Sequence, residues 1–277
     1  MRAAPITERV TSPTWSPAVV VIPTLNEAET IVPLLERITA TGLGLDVLVV
    51  DDRSPDGTAN AVREYAKEYS SVHVLERDRQ GGFAGAYRAG FRWALEREYS
   101  SIVQMDADGS HQPEFLRLML DALDDLGGAG LVVGSRWVSG GRVVDWPLRR
   151  LVLSRGGNAY IRLILGTRVR DATGGFRVWS RDALEAVEPG SLTSVGYAFQ
   201  IESLRRAEQA GVRVREIPIV FPERTRGVSK MSGSIVREAL VQVTRWGVAD
   251  RREGFRRLAV RGARGVPCVP RVRGSRG

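Results

Sequence analysis

From residue 18 onward the chain alternates short, wholly apolar runs with longer stretches whose apolar residues recur at helical spacing. Val19-Val20-Val21-Ile22, closed by Pro23, has no polar alternate position, the mark of a strand buried on both faces of a parallel sheet. Residues 27–40 put Ile31, Leu34, Leu35 and Ile38 on one face and predict a helix, with Pro33 tolerable only in the first turn. The pattern repeats: a strand over 45–50 closed by Asp51-Asp52, a helix over 57–69, and a strand over 72–75. A glycine-led helix over 81–98 and a strand over 102–105, closed by Asp106, follow. This alternation predicts an α/β fold, a mostly parallel sheet with right-handed crossovers and helices on both faces.

The second half is less regular. A strand is expected over 131–135, helices around 197–210 and 234–249, and a strand near 213–220. Leu148–Leu165 is an apolar segment carrying Arg149, Arg150, Arg155 and Arg162; this segment and residues 235–248 mix apolar runs with arginines as an interfacial helix does. The organisation expected is a leader over 1–17, one domain over 18–233, an amphipathic helix over 234–249 and a tail over 250–277. The tail is rich in Arg, Gly and Pro and reads as disordered. No run of 18 apolar residues suggests a membrane span, and the first residues lack the apolar core of a signal peptide.

Charge changes the picture only when it is located. From Arg245 onward ten arginines face Asp250 and Glu253, which accounts for the whole net charge of +8. The body is neutral and the tail basic. A nucleic-acid-binding tail would interleave aromatics with its arginines, yet beyond Trp246 there is only Phe255. Cys268 is the single cysteine, which excludes an internal disulfide or cysteine-built metal site and fits a reducing compartment.

Ligands of such sheets bind beyond the carboxyl ends of the strands. Three polar motifs fall there: Pro23–Glu27, Asp51–Thr58 and Asp106–His111. Each alone is explained by a turn, and Pro55-Asp56-Gly57 is a good one, with Thr58 as a helix N-cap. Together they converge on one cleft. Asp106 and Asp108, one residue apart at a strand end, suit a hard cation that keeps waters and phosphate oxygens as its other ligands. A carboxylate at Asp51-Asp52 is placed to accept hydrogen bonds from a base or ribose. Gly81-Gly82-Phe83-Ala84-Gly85 lacks the spacing of a dinucleotide fingerprint and reads as close packing. Lys230 is one of two lysines in an arginine-rich chain and suits a point charge on phosphate.

Taken in order, PTLNE at 23–27, DDRSPDGT at 51–58, DADGSHQP at 106–113, GSRWVSGG at 134–141, TGGFRVWSR at 173–181, GYAFQIE at 196–202 and ERTRGVSKMS at 223–232 resemble the dolichol-phosphate (polyprenyl-phosphate) mannose synthases of glycosyltransferase family 2. The resemblance covers roughly residues 18–235 and implies a GT-A fold. It implies that Pro23, Leu25, Glu27, Val50 and Asp52 hold the guanosine end of GDP-mannose. It places Asp106 and Asp108, with Ala107 between them and Ser110 beyond, around Mg²⁺ or Mn²⁺ on the diphosphate. Arg136, Arg224 and Lys230 match phosphate contacts, and Arg149 or Arg150 an acceptor-phosphate arginine. Leu25 stands where the family often has Tyr.

The implied reaction moves mannose to a polyprenyl monophosphate with inversion, Asp108, Arg136 and Arg150 being its catalytic candidates. The alternative is a relative that uses UDP-glucose or another sugar nucleotide. The lipid acceptor implies work at the cytoplasmic face of a membrane as a peripheral protein. Relatives without membrane helices sometimes rely on an integral-membrane partner. The anionic acceptor needs no strong base, consistent with only two histidines, His73 and His111.

Overall fold

The computed structural model of the chain describes residues 13–78, 80–223 and 233–264, with side chains of the last stretch described over 237–252. Seven strands form the main sheet: β1 (Ala18–Thr24), β2 (Asp46–Asp51), β3 (Val72–Glu76), β4 (Ser101–Gln104), β5 (Leu131–Ser135), β7 (Arg177–Ser180) and β8 (Val214–Pro218). Their spatial order is β3-β2-β1-β4-β7-β5-β8. All pairings are parallel except those of β7, which runs antiparallel to both β4 and β5. A second, two-stranded sheet pairs β6 (Arg142–Val144) with β9 (Val220–Pro222).

The wholly apolar strands are explained by two cores, one on each face. Because successive strand residues point to opposite sides, Val20, Ile22, Val49, Val103 and Met105 pack one way. There they meet Ile31 and Leu35 of α1 (Ala28–Ala40), Val62 of α2 (Thr58–Ala66) and Leu120 of α4 (Leu116–Asp124). Val19, Val21, Leu48, Val50 and Ile102 pack the other way. Their partners are Tyr87 and Phe91 of α3 (Gly82–Leu95), Leu184 of α6 (Arg181–Val187), Phe199 and Leu204 of α7 (Gly196–Gln209), and Val243 of α8 (Gly233–Arg264). Each such side chain, fully buried, contributes about 1.5–3 kcal/mol. A charge at Val20 or Val21 would therefore open one core or the other.

Three local expectations are corrected. Pro33 lies in the second turn of α1, where it removes a ladder bond; burial of Ile31, Leu34, Leu35 and Ile38 at 0–4% exposure offsets the loss. Thr58 is not the N-cap of α2: Gly57, at φ +89°, fills that position, and the Asp56 carboxylate accepts the Thr58 N–H at 3.0 Å. The helix expected over 234–249 continues to Arg264.

α5 (Leu148–Leu165) and α8 pack together, and α8 also lies on α7. A Cβ at Gly247 would stand 2.5 Å from Ile164 Cγ2 and 2.7 Å from the Ile164 carbonyl, so glycine permits the close crossing of α8 over α5. Tyr160 and Thr244 share a hydroxyl bond of 2.6 Å across it. Arg205 of α7 forks onto Asp250 of α8.

Candidate active site

The three strand-end motifs meet in one cleft of about 1090 Å³. The loop after β1 is stitched to the loop after β2 by the side chains of Thr24, Asp51, Ser54, Asp56 and Thr58. Asp51, 1% exposed, accepts from the Thr24 hydroxyl at 2.9 Å and from the Ser54 hydroxyl and N–H at 2.6 and 2.8 Å. Ser54, Thr58 and Asp56 in turn accept the backbone N–H groups of Asn26, Glu27 and Ala28, each at 3.0 Å. Asp51 and Asp56 are thus architectural. The loops hold Asn26 and Arg53 at φ +61° and +60°, a left-handed conformation non-glycine residues rarely adopt.

Asp52 lines the cleft at 2% exposure, and its carboxylate sits at the amino end of α3. It accepts the Gly81 N–H at 3.0 Å and the Gly82 N–H at 2.7 Å, and it pairs with Arg77. The favourable field of a helix amino terminus supports a carboxylate there. Two glycines of this loop pack closely, as expected: a Cβ at Gly81 would stand 2.4 Å from Arg77 Nη2, and one at Gly85 3.0 Å, whereas Gly82 has open space around it and a φ of +64°.

β4 delivers Asp106 and Asp108. The Tyr87 hydroxyl, wholly buried on α3, donates to Asp106 Oδ1 at 2.8 Å, and burial beside the Asp106 carboxylate holds the Tyr87 phenol well above its ordinary range. His111 Nδ1 accepts the Asp106 backbone N–H at 2.9 Å, while the ring stacks on Phe176 at 5.0 Å. His111 is thereby a buried brace. The Ser110 hydroxyl and N–H donate to Asp108 Oδ1 at 2.5 and 3.0 Å, so Ser110, expected beside the metal, orients the carboxylate. Among the described residues no three His, Cys, Asp or Glu side chains gather as a metal cage. Two carboxylates fit a cation such as Mg²⁺ or Mn²⁺, which keeps water and phosphate oxygens as its remaining ligands.

Arg136 follows β5 and lines the cleft, 8% exposed. Its Nε and Nη2 meet Asp171 at 2.7 and 2.6 Å, its backbone N–H meets the same carboxylate at 2.9 Å, and Nη2 also reaches the Thr173 hydroxyl at 2.9 Å. Burial works against the guanidinium charge, but Asp171 outweighs it and raises the Arg136 pKa. Asp171 is itself held by Glu216, which accepts its N–H at 2.9 Å and that of Arg170 at 2.8 Å. Of Arg149 and Arg150, the first is exposed and the second lines the cleft, 3.8 Å above the Trp146 ring and paired with Glu223.

Pro23, Leu25, Glu27, Asp52, Asp106, Ala107, Asp108, Ser110, Arg136 and Arg150 are therefore brought together. Val50 is not: its side chain is fully buried beneath α3, where a Cβ at Gly90 would approach it to 3.1 Å. Arg224 and Lys230 lie outside the described residues. Tyr87, Asp171 and Gln200 were missed. Tyr87 reads as helix core, and Asp171 stands just before TGGF without a partner visible in sequence. GYAFQIE was matched, with no role for its glutamine.

Apolar side chains of four helices complete the lining of the cleft. Phe83, Ala86, Leu153, Ile161, Ile201, Leu240 and Val243 line it, between α3, α5, α7 and α8.

The sequence model described as glycosyl transferase family 2 matches residues 19–188. The undecaprenyl-phosphate mannosyltransferase of Micrococcus luteus is 49% identical over 85% of this chain and 96% of the relative. The polyprenol monophosphomannose synthase of Mycolicibacterium smegmatis is 48% identical over 84% and 87%. The solved mannosyltransferase PcManGT of Pyrobaculum calidifontis, in complex with GDP-Man and Mn²⁺, shares the fold at a TM-score of 0.58 and 23% identity. That match covers 84% of this chain, which spans 64% of the PcManGT chain.

Proposed function

The chain belongs to glycosyl transferase family 2, and from that premise we propose that it moves mannose from GDP-mannose to a polyprenyl monophosphate. The observation that carries the proposal is the mixed lining of one cleft. Charged residues at the strand ends, Glu27, Asp52, Asp106 and Asp108, and apolar side chains of α5, α7 and α8 line it together. A nucleotide sugar suits the charged residues and the first isoprene units of a lipid the apolar ones. The names of the relatives supply the sugar and the acceptor class.

Asp106 and Asp108 hold a divalent cation in this reading, which would stabilise charge on the departing diphosphate. Tyr87, His111 and Ser110 keep the two carboxylates fixed, so little reorganisation is needed when charge develops. Arg136 and Arg150 set positive charge beside the same cleft for phosphate oxygens. The attacking group is an acceptor phosphate oxygen, anionic at neutral pH, so no base is required. His111 fits this, since its Nδ1 is committed to the Asp106 backbone. One displacement then gives a β-linked product from an α-linked donor.

The lipid acceptor brings the protein to the cytoplasmic surface of a membrane. Among the described residues no helix is long and apolar enough to cross one. α5 instead exposes Leu148, Val152 and Leu163, 73, 62 and 75% accessible. Helical geometry puts the three within about 60° of one another, and exposed Arg155 and Arg162 share that stripe. Apolar residues mixed with arginines suit the headgroup region.

Transfer from GDP-mannose to a short polyprenyl phosphate, followed by mass spectrometry of the lipid, tests the reading. The mannosylated lipid should form with Mg²⁺ or Mn²⁺, vanish with chelator, and vanish in Asp108→Ala at an unchanged melting temperature. Undiminished transfer by Asp108→Ala would overturn the metal assignment.

A further inference from the structure

A chain of buried amides ends in the cleft. Trp179, fully buried in β7, donates its indole N–H to Gln104 Oε1 at 3.3 Å. Gln104, fully buried in β4, donates through Nε2 to Gln200 Oε1 at 2.8 Å. The order fixes the orientation of both amides. An indole nitrogen only donates, so Gln104 must turn its oxygen to Trp179 and its NH₂ to Gln200. Gln200 must then offer its oxygen inward and its NH₂ outward.

Gln200 is 2% exposed, and its Nε2 has no hydrogen-bond partner among the described residues. A buried donor without an acceptor is costly, and native proteins seldom leave one without a purpose. Gln200 also lines the cleft. Its surroundings are marked by Gly175: a Cβ there would stand 3.3 Å from Gln200 Nε2 and 3.5 Å from Asp106 Oδ2. The amide and the carboxylate therefore border the same small space, which glycine keeps open.

The strand order says what occupies that space. Asp52 follows β2, Pro23–Glu27 ends β1, Asp106 and Asp108 follow β4, and Gly175 precedes β7. Across the sheet these sites run β2, β1, β4, β7. With the nucleoside at the first two and the diphosphate at the third, the group attached to the diphosphate reaches the fourth. That group is the sugar.

We infer that the Gln200 side-chain amide donates a hydrogen bond to a hydroxyl of the sugar being transferred and so helps to select it. This rests on the donor reading given above. A neutral amide locked as a donor suits a neutral hydroxyl oxygen, and the lock through Gln104 and Trp179 prevents the flip that would present an acceptor instead.

The test is calorimetric binding of GDP and of GDP-mannose, each with Mn²⁺, to the full chain and to Gln200→Met. The readout is the ratio of the two affinities. Gln200→Met should weaken GDP-mannose roughly 3- to 10-fold relative to GDP. Gln200→Glu, which keeps an oxygen for Gln104 but removes the donors, should shift the ratio the same way, because a charge penalty common to both nucleotides cancels. Equal losses for GDP and GDP-mannose, or none, would overturn the inference. So would an unchanged ratio with a raised KM for polyprenyl phosphate, which places the amide on the acceptor. Failure of the donor reading looks different: the unaltered chain then binds neither guanosine ligand. The same ratio measured with UDP and UDP-glucose would then decide the role of Gln200.

Discussion

Asp171→Asn isolates the most deeply buried charge pair of the cleft. Asp171 is 0% exposed and Arg136 8%, and their fork has bonds of 2.7 and 2.6 Å. The substitution keeps the shape but leaves a guanidinium in a dry site with a neutral amide that cannot accept both bonds. Removing one partner of a buried pair costs about 3–5 kcal/mol. Against a typical total of about 5–15 kcal/mol, this is a large fraction. At roughly 2–4 °C per kcal/mol for a chain of this size, the melting temperature should fall by about 6–20 °C. Urea unfolding followed by circular dichroism gives the free energy directly. The double variant Arg136→Met, Asp171→Asn should recover part of the loss, because the stranded charge is gone. A loss below about 1 kcal/mol in Asp171→Asn would resemble an exposed pair and refute the picture of Arg136 held in a water-poor wall.

Other expectations are narrower. Tyr87→Phe removes the phenol that steadies Asp106 and should lower metal affinity or transfer about 10–100-fold while the fold survives; titration of activity against Mn²⁺ reads it. Burial raises the Glu208 carboxyl above its ordinary 4.5, although the Thr167 hydroxyl works the other way. A raised acid binds its proton more tightly folded than unfolded, so stability should fall as pH rises through the region just above 4.5; Glu208→Gln should flatten that part of the unfolding profile. Val152→Asp with Leu163→Asp should weaken flotation with anionic liposomes, and equal binding would contradict the membrane-facing role given to α5.

The first four strands and the convergence of their ends were legible because a strand buried on both faces cannot hide its apolar run. Val19–Ile22 and residues 45–50 announce themselves, and the Asp51-Asp52 pair closing the second is conspicuous. β7 was not. Only four residues long, it begins with Arg177, which the sequence offers as a surface residue. In the structure that arginine is fully buried, donating to the Ala172 and Gly174 carbonyls and the Ser203 hydroxyl. Burial lowers its pKa to about 10. Nothing local signals such an arrangement. Asp171 was missed for the same reason, since its partner is 35 residues away. The acids of the strand ends were half legible: their position was right and so was the turn at Asp56, but Asp51, expected with Asp52 to meet a base or ribose, ties the two loops together.

The activity proposed for the cleft is transfer of mannose, rather than another sugar, to a lipid phosphate. Purified protein supplied with a short polyprenyl phosphate, Mn²⁺ and equal GDP-mannose and UDP-glucose tests it most directly, with the lipid product identified by mass. The mannosyl phospholipid should form, with GDP released in equal amount. A glucosyl phospholipid with release of UDP would contradict it.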